Sequence, residues 1–216
     1  APAELTIQCG TVIKGQVGVG TNASSLVIAR GAKIHAVGTS SCPIIFTSIA
    51  DEITSGQVAS PNLDPQIHRG LWGGVIVLGA APISPASGTT EQIEGIPASV
   101  TEGNYGGSNP ADNSGEIQYV SIRHGGAEIG AGNEINGLTL GGVGNGTQID
   151  HVEVIGNIDD GIEFFGGTVD ASDCIVFYQG DDAYDIDQAY AGTISNIAFI
   201  GGCLLYTSPS PRDRSL

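Results

Sequence analysis

Two short acidic segments in the C-terminal half of the chain carry the residue types best suited to chemistry. They read NIDDGIEFFGG (157–167) and GDDAYDID (180–187), and the Asp-Asp pair of the first recurs in the second. Clustered carboxylates can bind calcium, which takes six to eight oxygen ligands, or can act as the acid and base of a hydrolase. The candidate metal ligands are therefore Asp159, Asp160, Glu163, Asp181, Asp182 and Asp185.

Three interpretations of this acidic pattern remain open. The first is a calcium site, although the spacing matches neither an EF-hand loop nor the nonapeptide calcium repeat. The second is a solvated corner ladder, in which Asp and Asn side chains accept hydrogen bonds from turn amides. The third is a catalytic pair, since glycosidases use two nearby carboxylates. Its candidates would be Asp160, Glu163, Asp182 and Asp185.

The catalytic interpretation finds little further support in the sequence. The Gly-His-Gly and Arg-Ile-Lys segments of polygalacturonase-type β-helices are absent, and so is a GxSxG nucleophile elbow. A calcium-dependent lyase would need an Arg or Lys base, and outside the segment 203–216 Arg123 is the Arg or Lys nearest in sequence to the acidic segments. We therefore expect a protein that is not an enzyme, with a polysaccharide hydrolase or lyase as the alternative.

Three further residues are candidates for ligand binding. Trp72 lies in GLWGG, where small neighbours could leave its ring free to stack on a sugar, although a ring packed under a loop is the common case. Arg123 and His124 in SIRHGG could clamp a substrate carboxylate or donate a proton, or they could form a surface ion pair and a corner residue.

Internal repetition predicts how these residues are positioned. LTIQCGTVIKG (5–15) aligns with LVIARGAKIHA (26–36), which places Leu5 on Leu26. NGLTLGG (136–142), DGIEFFGG (160–167) and DAYDIDQ (182–188) repeat in the same way further along the chain. Short β-branched strands with Gly, Asn and Asp corners indicate an all-β, parallel β-helix with about 21–24 residues per coil. A right-handed helix is the general preference of parallel crossovers.

Stacked coils place residues at equivalent positions directly above one another. Alternation along the strands predicts that Ile162 and Phe164 point inward, and that Glu163 and Asp185 point outward, one above the other. Two polar, Gly- and Pro-rich stretches, 51–66 and 86–114, do not repeat. They predict long loop insertions that leave the coil stack and wall a groove.

Composition restricts the partners and the location of the protein. The net charge is −16 with seven Lys and Arg in 216 residues, which argues against nucleic-acid binding. The sequence has no apolar stretch long enough for a transmembrane helix, and its acidic character suits an exported protein. Cys9 and Cys42 could form a disulfide in an oxidising compartment, or both could remain free thiols.

The end of the chain differs from the rest. CLLYTSPSPRDRSL (203–216) is free of Gly, rich in Ser, Pro and Arg, and resembles the translation of a sequencing adapter. We expect it to be a non-native read-through tail. Residues 1–202 would then form a single β-helix domain that is a piece of a longer protein.

Long segments of the sequence resemble a known group of bacterial proteins. These segments are GLWGGVIVLGAAPIS, NSGEIQYVSIRHGGAEI and NEINGLTLGGVGNGTQIDHVEVIGNIDDGIEFFGG. The group comprises secreted or lipid-anchored proteins of Bacteroidetes and marine bacteria, some of which carry the label "multidrug transporter". The resemblance implies a right-handed parallel β-helix at the outer cell surface, and it implies no established activity.

Together, these observations predict a non-catalytic, exported β-helix protein at the outer cell surface. Its predicted roles are adhesion or binding of extracellular glycan, with calcium as a stabilising ion. The alternatives are a polysaccharide-degrading enzyme and a structural component of a surface layer or filament. The last would use end-to-end self-association, because the open end of a solenoid exposes sheet edges.

Overall fold

A computed structural model describes residues 3–130 and 133–202 of the chain. The tail predicted for 203–216 therefore lies outside the described residues. Apart from two short 3₁₀ turns, Gly20–Asn22 and Thr101–Gly103, the regular structure consists of strands. The strands are β1 Glu4–Ile7, β2 Val12–Gly15, β3 Leu26–Ile28, β4 Lys33–Val37, β5 Ile44–Ser48, β6 Val75–Leu78, β7 Glu91–Gln92, β8 Asn104–Tyr105, β9 Gly115–Arg123, β10 Glu128–Gly130, β11 Asn133–Glu134, β12 Leu138–Gly141, β13 Gln148–Ile155, β14 Ile162–Phe165, β15 Asp170–Ser172, β16 Ile175–Phe177, β17 Tyr184–Asp187, β18 Ile194–Ser195 and β19 Ala198–Ile200.

Two parallel sheets form the body of the molecule. The five-stranded sheet has the order β17-β14-β12-β6-β3, and the ten-stranded sheet contains the path β1-β4-β9-β13-β15-β18, with β2, β5, β16 and β19 paired alongside. Successive strands of each path belong to successive coils, and the side chains that they turn inward form one apolar core. The predicted all-β parallel β-helix is confirmed. Among the described residues, no helix has the length and apolar character needed to cross a membrane.

The coil length agrees with the sequence prediction in the C-terminal half and differs in the N-terminal half. Leu138 pairs with Ile162, and Ile162 pairs with Tyr184, as the repeats of this half predict. Leu5, however, pairs with Ile34 instead of Leu26, so the first coil is longer than predicted. The predicted period is therefore wrong for the first coils. The sequence alignment matched two segments that share the pattern strand-Gly-strand. Leu26, however, lies in β3 of the other sheet and pairs with Val75.

Left-handed backbone conformations form a column at each of three corners. In the column that interrupts the ten-stranded sheet, Tyr119, His151, Asp173 and Asn196 have φ angles between 51° and 56°. These residues stack because the strands on their C-terminal side are paired in register. Asn, Asp and His adopt this conformation more readily than other non-glycine residues, which explains three of the four.

The other two corner columns also consist of residues with left-handed backbone conformations. His124, Gly156 and Tyr178 have positive φ angles at the end of the ten-stranded sheet. Gly142, Gly166 and Gln188 follow the strands of the five-stranded sheet in the same way. Each column is tied together by amide-to-carbonyl bonds between coils, such as His124 N–H to Ile155 O at 2.8 Å. Sharp corners at fixed positions allow each coil to keep its register over the one before.

Both predicted loop insertions leave the coil stack, and the second one covers a face of it. The segment between β6 and β9 contains the antiparallel pair β7–β8. Its Ile93 and Tyr105 pack on the outward-facing side chains of Ile76, Leu78 and Phe165 and form a second apolar cluster. The outer face of the five-stranded sheet is therefore covered by protein over much of its area.

The inward column of the five-stranded sheet should dominate the stability of the fold. Phe164 is fully buried and packs against the Tyr190 ring at a centroid distance of 4.7 Å. We predict that Phe164→Ala lowers the free energy of unfolding by about 3–5 kcal/mol because it leaves a cavity. Val58→Ala, at a position that is 65% exposed, should change it by less than about 0.5 kcal/mol. Urea unfolding followed by circular dichroism measures both, and equal effects would contradict this assignment of the core.

Candidate functional site

The acidic residues predicted to stack do form a column on the outer face of the five-stranded sheet. Thr139 pairs with Glu163, and Glu163 pairs with Asp185, in neighbouring parallel strands. Ile162 and Phe164, on either side of Glu163, belong to the core. The predicted alternation, with Glu163 and Asp185 facing away from the core, is therefore confirmed.

A corner next to this column holds a second set of polar residues. Asp160 Oδ1 accepts a hydrogen bond from the backbone N–H of Asp182 at 2.9 Å, so this carboxylate caps a turn of the next coil. Asn157 Nδ2 donates to the Asp160 carbonyl at 2.9 Å and fixes the turn that carries Asp160. Asn136, one coil earlier, donates through Nδ2 to Glu163 Oε2. The corner and the column are thus joined into one network.

Five of the six predicted metal ligands come together in two overlapping groups. Asp160, Glu163 and Asp185 each offer a carboxylate oxygen, and these oxygens lie within 4.8 Å of one another. Asp159, Asp160 and Asp181 form a second group with the same property, so Asp160 belongs to both. The carboxylate of Asp182 is in neither group. Asp182 is exposed and serves the corner through its backbone N–H.

Asp160 and Glu163 are buried, so neither carboxylate is solvated, although Asp160 accepts a hydrogen bond from a turn amide as the corner-ladder interpretation predicts. Each is only 7% exposed. Burial raises the pKa of Glu163 to about 9, and the carboxylates of Glu94, Asp160 and Asp185 contribute to the same shift. Burial likewise raises the pKa of Asp160 to about 8, with Asp159 as the next cause. Near neutral pH, and with no cation bound, both groups are therefore mostly protonated.

The burial of Glu163 follows from the insertion that covers this face. Glu94, in the insertion, is close enough to raise the pKa of Glu163, and Glu91 accepts a hydrogen bond from Gln188 Nε2 at 2.9 Å. Burial raises the pKa of Tyr105, and the charges of Glu91, Asp187 and Glu163 raise it further. These acids therefore share one region. The sequence analysis did not identify Glu91 and Glu94 as residues of this region. The only feature that could have indicated them is that they are acidic residues in a long loop.

Of the four buried amide oxygens that lack a hydrogen-bond partner within the described part of the chain, two belong to asparagines whose Nδ2 groups donate to Glu163 and Asp160. They are Oδ1 of Asn136 and Oδ1 of Asn157, and each side chain is only 1% exposed. A buried polar atom of this kind needs a partner such as water or an ion. The corner therefore combines acidic oxygens with unsatisfied neutral oxygens, which is the ligand chemistry of a hard cation.

Trp72 is placed in the core instead of on a binding surface. Its side chain is 2% exposed, and its Nε1–H donates to the Arg123 carbonyl at 2.7 Å. A Cβ on Gly15 would approach the indole ring to 2.7 Å, which explains why glycine occupies that position. The predicted sugar-stacking role of Trp72 is therefore not supported, because neither face of the ring is open to a ligand.

Arg123 and His124 are also occupied by internal partners. The Arg123 guanidinium donates to Glu153 Oε1 at 3.0 Å and to Ser121 Oγ at 2.6 Å, and the residue is 5% exposed. His124 is 1% exposed, and its Nδ1 bonds to the His68 carbonyl at 2.7 Å. Burial lowers the pKa of His124. The predicted carboxylate clamp is thus not supported, since both side chains hold elements of the fold together.

The fold and the acidic network together define a parallel β-helix protein with a buried carboxylate column. The chain belongs to the family of the pectate-lyase-like β-helix domain, whose family model matches residues 1–201. No curated protein and no solved structure matches the chain. The match confirms the expected β-helix family. The expected bacterial group, export, adhesion and calcium binding remain predictions.

The raised pKa values make the free energy of unfolding depend on pH in metal-free buffer. An acid whose pKa is higher in the folded state than in the unfolded state stabilises the folded protein at low pH. This stabilisation is complete at pH values below the unfolded-state pKa, and it is lost as the pH rises through the folded-state pKa. For Glu163 the two values are 4.5 and about 9, and for Asp160 they are 3.8 and about 8. We predict that the free energy of unfolding falls between about pH 4 and about pH 9.

The variant Glu163→Gln separates this effect from general charge repulsion. Because the amide cannot ionise, the variant should lose part of the decline with pH and should be more stable than the native chain at about pH 9. Glu4→Gln, at an exposed position in β1, removes the same charge and should keep the decline. Urea unfolding with a chelator present measures the three proteins. Identical pH profiles for the native chain and Glu163→Gln would contradict the burial of an ionisable Glu163.

Proposed function

We propose that this chain is an exported β-helix protein that binds extracellular polysaccharide and uses a bound calcium ion to hold its acidic corner. The cation part of the proposal is carried by one observation, the convergence of Asp160, Glu163 and Asp185 oxygens within 4.8 Å. The family match supports the polysaccharide part, because the domain is described as pectate-lyase-like. Adhesion at the outer cell surface would use the same binding.

A bound divalent cation offsets the repulsion between the ionised carboxylates of the acidic column. Asp160 and Glu163 are almost fully buried next to further carboxylates, so their ionised forms repel one another in a region of low polarity. Neither Asp160 nor Glu163 forms a salt bridge with a Lys, Arg or His of the described ranges. Calcium suits this setting better than magnesium because it accepts irregular sets of carboxylate and carbonyl oxygens.

A polysaccharide would find an open surface on a different part of the coil stack. A groove of about 300 Å³ is lined by polar and aromatic side chains at the corner that interrupts the ten-stranded sheet. There the rings of Tyr119 and His151 stack at a centroid distance of 4.2 Å, next to Glu153 and Asp173. Positions equivalent to Tyr119 recur along the axis about every 4.8 Å and are occupied by His151, Asp173 and Asn196. Repeated polar and aromatic groups at this spacing suit a chain of sugars.

Polysaccharide hydrolysis is a second candidate function, and one observation favours it, but substrate could reach the buried Glu163 only if the insertion that covers it moved aside. A carboxyl group with a pKa of about 9 stays protonated near neutral pH, as a general acid must, and Glu163 has such a pKa beside the Asp185 carboxylate. Retaining glycosidases place two carboxyl groups about 5 Å apart. Release of reducing sugar that Glu163→Gln abolishes would favour the enzyme. Binding without any product release would favour the non-catalytic function.

We predict that calcium stabilises the folded chain and that the acidic column is responsible. Calcium at about a hundred times its dissociation constant should raise the melting temperature by about 5–10 °C, and chelation should reverse the shift. Asp185→Asn should abolish most of the shift because it replaces one negatively charged ligand of the first group with a neutral one. Glu4→Gln is the matched control and should keep the shift. Differential scanning calorimetry measures it, and a native chain that is insensitive to calcium would contradict the proposal.

We predict that Tyr119→Ala weakens binding to acidic and neutral polysaccharides at least about tenfold, because it removes the ring that stacks on His151. Tyr178→Ala is the matched control, since Tyr178 is also a partly exposed aromatic with a left-handed backbone, at a different corner. Affinity electrophoresis or a glycan array measures the binding. Equal binding by the two variants would place the polysaccharide elsewhere, and absence of binding by the folded native chain would contradict the function.

A further inference from the structure

The register of the first two coils brings Cys9 and Cys42 side by side. Val12 pairs with Ile45 in the parallel strands β2 and β5. The same register, continued towards the N-terminal side of both strands, places Cys9 next to Cys42. A hydrogen bond shows that this register continues as far as Gly10, next to Cys9, because Gly10 N–H donates to the Pro43 carbonyl at 3.2 Å. Adjacent parallel strands lie about 4.8 Å apart, within the range of Cα separations that a disulfide spans.

The side chains agree with the backbone register. Cys42 Sγ lies 3.3 Å from the position that a Cβ on Gly10 would occupy, so it is directed at the Cys9–Gly10 turn. The Cys9 thiol is close enough to that of Cys42 to raise the pKa of Cys42. The two sulfur atoms are thus neighbours on separate coils.

The pair is open to reagents, and the third described cysteine is not. Cys9 is exposed and Cys42 is partly exposed, whereas Cys174 is 1% exposed. Both Cys9 and Cys42 line a cavity of about 170 Å³, together with Ser55 and Gln57 of the first insertion. An oxidising disulfide can therefore reach the pair from solvent.

We propose that Cys9 and Cys42 form a disulfide that links the first coil to the second and acts as a redox-dependent clasp. Formation removes two protons and two electrons from the two thiols. In thiol–disulfide exchange the acceptor is a small-molecule disulfide, such as oxidised glutathione. One thiolate attacks it and releases a thiol, and the second cysteine then displaces the other thiol as the S–S bond forms. Export to an oxidising compartment supplies such conditions.

The clasp would act on the part of the fold that carries the first insertion. Ser55 Oγ–H donates to the Gly10 carbonyl at 2.8 Å, so the insertion is anchored on the turn that follows Cys9. Linking the coils closes a loop of the chain, which restricts the unfolded state. Oxidation should therefore make the first coil and the base of this insertion more resistant to unfolding.

The test uses the full chain with and without oxidised glutathione. Alkylation under denaturing conditions, followed by peptide mapping, should show that Cys9 and Cys42 become protected together while Cys174 remains reduced. The melting temperature of the native chain should rise by about 5–10 °C on oxidation. Cys9→Ser and Cys42→Ser should each abolish this rise, and Cys174→Ser should keep it.

Two results would overturn the proposal. One is that Cys9 and Cys42 are both still alkylated after oxidation of a chain whose circular dichroism is that of folded protein. The other is that Cys42 becomes linked to a cysteine other than Cys9. Neither result requires a variant to fold, since both are read from the native chain. The calcium and polysaccharide measurements above are independent of this outcome.

Discussion

The in-register hydrogen bonding between successive coils is the constraint on which the rest of this molecule depends. Each parallel strand fixes the position of the next one along the axis, as with Ile162 on Leu138 and Tyr184 on Ile162. A residue type that recurs once per coil therefore becomes a continuous column of side chains. The apolar core, the left-handed corners and the acidic network are all built from columns of this kind, and they differ in the part of the coil that they occupy.

The acidic column acquires its chemistry from what covers it. On an open sheet, Glu163 would be a hydrated carboxylate of ordinary acidity, and its interaction with Asp185 would be screened by salt. The packing of Ile93 and Tyr105 on the outer face removes water from this region and adds Glu94 as a further negative neighbour. Each buried acid then either keeps its proton or acquires a counter-ion. The insertion thus converts a repetitive surface into a site with a preference for protons or cations.

The parts of the fold that could be predicted are those that depend on spacing alone. A regular repeat with alternating apolar positions was enough to place Glu163 next to Asp185 on adjacent coils, and this placement is confirmed. The same reasoning was wrong for Leu5 and Leu26, because a short motif that occurs twice in one coil cannot be distinguished from one that occurs once in each of two coils. Spacing specifies a register only where each repeat contributes the same number of strands.

Features that depend on contact between distant segments could not be predicted in this way. The surroundings of Trp72 are set by the Arg123 carbonyl, far along the chain, and by the absence of a side chain at Gly15. The burial of Asp160 and Glu163 was likewise missed. For Glu163, nothing in the periodic segments indicates that a non-periodic loop folds back over it. Glu91 and Glu94 belong to that loop, so no repeat identifies them as neighbours of the column.

The corners determine how such a chain can change in length. Both long insertions leave and rejoin the coil stack between strands, and the strands on either side keep their pairing, as Leu26 with Val75 and Ile34 with Gly115 demonstrate. Genetic additions and deletions at these junctions alter the loop without shifting any column of the core. Within a strand, loss of a single residue would exchange inner and outer faces for the remainder of that coil. The β-helix is therefore a scaffold in which new surface can be grafted at the corners while the stacked interior stays invariant.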